Sequence, residues 1–421
     1  VRLLDAHGIE IHARGDFANF AYWLRQVPDP MAQRFPMFLA ACAWFRTQVD
    51  RAAEPGPLLA ALEAALQRVP ADYPESLEQE ARWHLEALRG FALRVAGRIE
   101  EAVEVSERVL ARIPPGAGGL ARGMLTFNLA AAYLRLADMA HARTYLAQSF
   151  EEGQRDGIPY AVFGGLAHGG AVLAQTEGVA RAREALEAAV AYAESRHLTA
   201  LPVFALVLYQ LGDAHLLAGE PARARPLLER AVALTAAGRD PDIHANSLIR
   251  LARVEADDGR FDEARARLAE AVVVAQTYNV LPFATTLEVE RLRLAAIARD
   301  APAGLVGPNP IAVSAESGER WSSWREAEEL LRLEHCLRHG FRQEAAAAAE
   351  RLIRESEPRG RGVALCAGRL AAAILEERPE RRWPALDEAL RFAAARGYVR
   401  VLLGGGRSEE HTSELQSRPH L

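Results

Sequence analysis

This sequence predicts an all-α chain, an array of antiparallel helical hairpins stacked into an open superhelix, and three observations point there. Half of the 421 residues are hydrophobic but only 7% are aromatic, a composition that suits stacked Ala/Leu helices better than sheets. Short turns led by Gly or Ala recur about every 40 residues. After each turn runs a stripe of apolar residues at i, i+4 and i+7, the period of a helix with one packed face.

The N-terminal units are weak, marked by Gly8/Gly15/Phe20 and Leu58/Leu62/Ala65. The clear units begin at Gly97-Arg-Ile-Glu-Glu-Ala102 and continue at Ala137–Ala142, Gly178–Ala182, Gly219–Ala224, Gly259–Ala264 and Gly340–Ala345. Their terminal alanines fall at 102, 142, 182, 224 and 264, spacings of 40, 40, 42 and 40, and 345 lies two steps further on. The stripe reads Ala182/Leu186/Ala189, Ala224/Leu228/Ala231 and Ala264/Leu268/Ala271. Twelve residues before each anchor stands a small residue, Gly90, Ala130, Gly170, Gly212 or Ala252. A short side chain there lets the first helix of a hairpin approach the second closely. With a last unit at Leu386/Ala389 the count is roughly nine or ten hairpins, each with an apolar face that only a neighbour can cover. The regularity fails at residues 301–320, where Ala301–Pro310 carries three prolines and two glycines, so a loop is expected. Helical pattern returns at Trp321 or Trp324.

Leu129 and Leu211 precede the small residue and Tyr133 follows three positions on. With the second-helix alanine, the pattern resembles the tetratricopeptide repeat, stretched from its usual 34 or so residues. The N-terminal block Leu3-Leu4-Asp5-Ala6-His7-Gly8, Gly15-Asp16, Trp23-Leu24-x-x-Val27-Pro28 and Ala43-Trp44 resembles the start of the repeat region in MalT-type LuxR-family transcription regulators. Ala389-Leu390-x-x-Ala393 and Arg396-Gly397-Tyr398-Val399-Arg400 resemble that region's closing signature. The similarity covers about residues 1–406 and departs at Val27, where leucine is usual, and in the 301–317 stretch. It implies a sensor region that binds a small-molecule inducer or a regulatory protein. It also implies self-association of a full-length regulator, with an N-terminal ATPase and a C-terminal helix-turn-helix outside this sequence. A free-standing tetratricopeptide scaffold for protein–protein interaction is the alternative.

Residues 1–406 are therefore expected to form the superhelical domain. The tail 407–421, with Arg407-Ser-Glu-Glu-His-Thr-Ser-Glu-Leu-Gln-Ser417, resembles a translated sequencing adapter and is expected to be non-native. All 50 basic residues are arginine, so a lysine-dependent P-loop is excluded. Charges of both signs are interspersed at a net −6, which argues against direct nucleic-acid contact. Cys42, Cys336 and Cys366 are odd in number and scattered, which points to a reducing compartment and to the cytoplasm. No apolar run reaches the roughly 20 residues of a membrane span.

Chemical motifs are sparse, and no enzyme, cofactor or metal site is expected. His335 and His339 share a helix face, but no glutamate follows His335 as a metalloprotease helix requires. His7 reads as a packing or hairpin-contact residue. Asp257-Asp258-Gly259 reads as a turn, and Gly164-Gly165 with Gly169-Gly170 as close helix packing. The stretch Glu326–Glu334 reads as a solvated helix face with i, i+4 pairs. The resemblance implies a concave groove lined by first helices. Setting the small residue at repeat position eight places Phe127, Arg135, Tyr209, Asp213, Asn246 and Arg253 along it. Aromatic faces beside hydrogen-bonding groups suit a sugar-like ligand or a peptide.

Overall fold

The computed structural model describes residues 2–13, 17–24, 26–27, 34–49, 56–236, 240–278, 283–297 and 321–402. Among them the regular structure is entirely helical. The N-terminal helices are α1 (Arg2–Ala13), α2 (Phe17–Leu24), α3 (Pro36–Val49), α4 (Gly56–Leu66), α5 (Glu75–Val95) and α6 (Ile99–Leu110). The middle holds α7 (Gly119–Arg135), α8 (Met139–Asp156), α9 (Pro159–Thr176), α10 (Val179–Ser195), α11 (Phe204–Leu217) and α12 (Pro221–Thr235). Then come α13 (Pro241–Asp257), α14 (Phe261–Thr277), α15 (Phe283–Ile297), α16 (Ser323–His339), α17 (Arg342–Ser356), α18 (Gly362–Leu375), α19 (Pro379–Arg396) and α20 (Val399–Leu402). Nine hairpins, with α15 set between the seventh and eighth, match the expected count among the described residues. The expected loop at 301–320 and tail at 407–421 lie outside them.

The turns explain the repeat. Gly97, Gly219, Gly259 and Gly340 have φ of 74–80°, Ala137 takes a similar left-handed conformation at φ 57°, and Gly178 has positive φ in a more extended conformation (φ 111°, ψ 171°). Each ends the first helix by letting an amide bond back to a carbonyl of the last turn, as Arg98 N–H does to Leu93, Glu220 to His215 and Phe341 to Cys336. The second helix then starts at once, and its anchor alanine faces the first. Ala102, Ala142, Ala182, Ala224, Ala264 and Ala345 are all 0% exposed. A Cβ on Gly170 would stand 2.5 Å from Leu186 Cγ, and one on Gly212 would stand 2.8 Å from Leu228 Cγ. The small residue is thus required by contact with the stripe leucine. Gly164 and Gly165 serve packing as expected, against Phe127 and against the α8 backbone at Leu146 and Phe150. Gly169 has open space around it.

The stack is not open, contrary to the expectation. Helices distant in sequence meet in the pairs α1 with α7, α7 with α16, α9 with α18 and α11 with α20. Apart from α20, these are first helices of their hairpins. First helices therefore line the inside of the superhelical turn, and the last hairpins fold back onto the middle ones. Tyr398 is 0% exposed and its hydroxyl donates toward the carbonyls of Ala174 (2.7 Å) and Gln175 (3.0 Å). The Val363 amide donates to Gln175 Oε1 (3.2 Å), and Arg400 Nη2 reaches Asp257 Oδ1 at 3.1 Å. The closing signature thus runs along the hairpin turns of the middle repeats.

Candidate ligand groove

The inner face is built from first-helix side chains that point away from the anchor alanines. The largest feature is a ladder of ion pairs one repeat apart. Arg250 on α13 binds Asp213 on α11. Arg253 donates from Nε to Glu290 on α15 at 2.8 Å, and Arg293 holds Glu290 (2.9 Å) and Glu334 on α16 (3.0 Å). Burial alone would push the Glu290 carboxyl up, but the Arg253 and Arg293 guanidiniums hold it well below the usual carboxylate range. Every rung uses arginine, whose planar fork meets a carboxylate through two N–H groups.

Next to the ladder is a more aromatic region. Phe127 on α7 stacks on His168 of α9, ring centroids 5.7 Å apart. Burial, followed by the Arg94 and Arg135 charges, lowers the His168 pKa to about 4, so its ring is neutral at physiological pH. Arg94 donates from Nε to Asn128 Oδ1 (2.6 Å), and the Asn128 amide donates to buried Ser106 (3.0 Å). Arg135 ends α7 with its Cζ 5.0 Å from the Trp324 ring centroid, which joins the second-from-last first helix of the fold to the middle of the chain. Tyr209 is buried under Arg250, whose Cζ is 5.7 Å from the ring centroid.

The six residues expected in the groove thus fall into two groups. Phe127, Arg135 and Tyr209 come together around His168 and Trp324. Asp213 and Arg253 belong to the ion-pair ladder, and Asn246 turns its amide to the Asp242 carbonyl of its own helix (3.0 Å). The sequence reading missed Arg250, Glu290, Arg293 and Glu334. Their signal was present as opposite charges spaced by one repeat, 213 to 250, 253 to 290 and 293 to 334.

Two further expectations are corrected. Glu326, Glu328 and Glu329 are buried, not solvated. Glu326 accepts from Arg361 Nε (2.8 Å), Glu328 pairs with Arg325 (3.3 Å), and Glu329 pairs with Arg332 (3.2 Å) and Arg351 (2.9 Å). The pairs within the helix are i, i+3 rather than the expected i, i+4, and the helices that bring Arg351 and Arg361 over this face were not legible. His7 is exposed, 3.6 Å from Glu10, and packs in no hairpin interface. His335 and His339 lie with ring centroids 4.5 Å apart beside Phe341.

A separate cleft of about 620 Å³ lies between α4, α5 and α6, lined among others by Trp83, Arg82 and Arg89. Two of its arginines are already neutralised, Arg82 by Glu78 (2.5 Å) and Arg89 by Glu63 (2.9 Å) and Glu86. The inner face is the stronger candidate because it is continuous across the repeats.

Residues 84–408 match the family described as the MalT-like TPR region. The N-terminal block that carried part of the resemblance lies entirely before that span. No curated protein matches the chain in sequence. Among solved structures, a Rap protein complexed with competence and sporulation factor is 13% identical, with a TM-score of 0.52 over 93% of this chain and 97% of that one. The apo quorum sensor NprR from B. thuringiensis is 13% identical, TM-score 0.42, covering 96% and 98%. A signal transduction ATPase with numerous domains, carrying a tetratricopeptide repeat sensor, from Pyrococcus horikoshii is 14% identical, TM-score 0.40, covering 96% of this chain and 54% of that one.

Proposed function

We propose, from the premise that this chain belongs to the MalT-like TPR region family, that it is the non-enzymatic sensor region of a LuxR-family regulator of the cytoplasm. An inducer or a regulatory protein engages the inner face, and binding there alters how the last hairpins seat on the middle ones. That movement controls an ATPase and a helix-turn-helix encoded beyond residues 1–406, with the 407–421 tail foreign to the native protein. The segment itself holds no cofactor and no metal, and it touches neither nucleic acid nor membrane.

One observation carries this reading. The same first helices that form the inner face also hold the closing segment, Ala174 and Gln175 through Tyr398 and Asp257 through Arg400. A ligand that shifts α7, α9 or α13 by a fraction of an ångström therefore acts on residues 396–402, next to the chain's exit toward a following domain. Packed interfaces switch between discrete arrangements rather than deform continuously, so a small shift inside is converted into release or seating of that segment. No helix among the described residues is long and apolar enough to cross a membrane, in keeping with a regulator that works in solution. The Rap neighbour, of similar fold, is complexed with a competence and sporulation factor, which supports an inner face that receives a partner.

The test is the nucleotide sequence on both sides of this segment. An ATP-binding motif upstream and a helix-turn-helix downstream are expected. A reading frame confined to the repeats would instead make the chain a free-standing scaffold.

A further inference from the structure

Arg135 differs from the arginines of the ladder. Arg250, Arg253, Arg293 and Arg361 each hold a carboxylate. Arg135 has neither a hydrogen-bond acceptor nor an ion-pair partner among the described residues, and its recorded contact is the face of Trp324. Asp242 acts on it at longer range without pairing to it. The guanidinium is only partly buried, and none of its nitrogens is sealed from solvent. It therefore borders water-sized space on the inner face, with five N–H donors available.

The surroundings suit a ligand that brings a negative charge on an apolar or planar body. Trp324 covers one side of the guanidinium, and the Phe127–His168 stack supplies a second aromatic surface. Burial, opposed by Asp242 and Tyr209, pulls the Arg135 pKa down, and no acceptor among the described residues takes a hydrogen bond from the guanidinium. A carboxylate or phosphate would fill that role through a bidentate, charge-assisted bond. An uncharged sugar would leave the charge uncompensated.

We infer that the inner face carries an oxyanion-binding site centred on Arg135, with Trp324, Phe127 and His168 holding the body of an anionic ligand. This assignment rests on the sensor reading and sharpens it, because Trp324 belongs to the hairpins that fold back and Arg135 to the middle of the chain. An anion bound at Arg135 sits on the seam between them.

The experiment titrates the full chain with hippurate and phenyl phosphate, which present a carboxylate and a phosphate on an aromatic body, and with uncharged hippuramide. Binding is read from Trp324 fluorescence, isolated by subtracting the Trp324→Phe variant. At least one anion should bind about tenfold or more tightly than hippuramide, the value of one charge-assisted bond. The tighter of the two tells whether an organic acid or a phosphorylated compound is favoured. Arg135→Gln should remove the difference, and Arg135→Lys, which keeps the charge but loses the fork, should restore part of it.

Without ligand, Arg135→Gln should melt at the same temperature or higher, since it removes an uncompensated cation. Equal affinity for hippuramide, binding that persists in Arg135→Gln, a marked fall in its melting temperature, or no anion binding at tens of millimolar would each overturn the assignment. Tight binding of a neutral probe lost in Tyr209→Ala would overturn it while leaving the sensor reading intact.

Discussion

Two neighbouring glycines in α9 give a test of the hairpin geometry in which helix propensity cancels. Gly169 and Gly170 lie in the interior of one helix, and either one changed to alanine gains up to about 1 kcal/mol of helical stability. Their surroundings are opposite. A Cβ on Gly169 meets nothing within 4 Å, whereas one on Gly170 meets Leu186 Cγ, Cδ2 and Cδ1 at 2.5, 2.7 and 2.8 Å. Leu186 is 1% exposed, so it has no free volume to retreat into. Overpacking of this kind costs about 1–3 kcal/mol. Gly169→Ala should therefore stabilise the chain by about 0.5–1 kcal/mol, and Gly170→Ala should be neutral or destabilising by up to about 2 kcal/mol. The gap between the two variants isolates the clash at about 1–3 kcal/mol, and with a urea m-value of about 2–3 kcal/mol/M it separates their midpoints by roughly 0.3–1.5 M. Urea unfolding followed by circular dichroism at 222 nm reads it directly. If Gly169→Ala falls as far as Gly170→Ala, the register of first helix against stripe leucine is wrong.

Three other outcomes follow from the same contacts. Ala264 is fully buried in its hairpin, so Ala264→Phe should cost about 1–3 kcal/mol or more, while Arg267→Ala on the partly exposed face should stay within about 0.5 kcal/mol; equal midpoints in urea would contradict this. Tyr398→Phe removes the bond to the Ala174 and Gln175 carbonyls and should cost about 1–3 kcal/mol, with faster amide exchange in residues 396–402; unchanged exchange there would show that the hydroxyl does not hold the closing segment. His168 titrates near 6.5 unfolded and near 4 folded, so between these pH values the unfolded chain binds more protons and stability falls as pH drops. The loss is on the order of 1–3 kcal/mol by pH 4. His168→Asn should flatten that slope in urea midpoints between pH 7 and pH 4.5, and an unchanged slope would place the titration elsewhere.

What the sequence disclosed and what it withheld divide by sequence distance. The anchor alanines were legible because each packs against a small residue only twelve positions earlier, and both recur with the repeat. The turns were legible because glycine at positive φ marks a helix end. Even the ion-pair ladder had a signal in charges one repeat apart, though on a single helix such residues resemble an ordinary solvated face. Glu326, Glu328 and Glu329 show the limit. Their burial depends on α17 and α18 laying Arg351 and Arg361 across them. The return of the last hairpins lay further out of reach, since Tyr398 finds its acceptors 224 and 223 residues away and no local pattern encodes such a separation.

Closure nonetheless leaves a mark once the turns are compared with one another. Apart from Gly178, whose φ of 111° and ψ of 171° favour glycine by themselves, the turns need a left-handed residue, yet Ala137 fills that role in one repeat, at about 1–2 kcal/mol of local strain. Left-handed geometry alone therefore does not compel glycine. At Gly97, Gly259 and Gly340 a Cβ would meet open space. At Gly178 it would stand 2.9 Å from the Arg396 backbone, and at Gly219 3.0 Å from Val399 Cγ1. These two turns meet a second demand that the others do not, because the closing segment crosses them at backbone distance. A side chain there would do more than strain the turn. It would lift residues 396–399 from the rim of the middle repeats. The middle repeats thus do two things with one set of first helices. Their inward side chains form the inner face, and their C-terminal ends form the seat of residues 396–402.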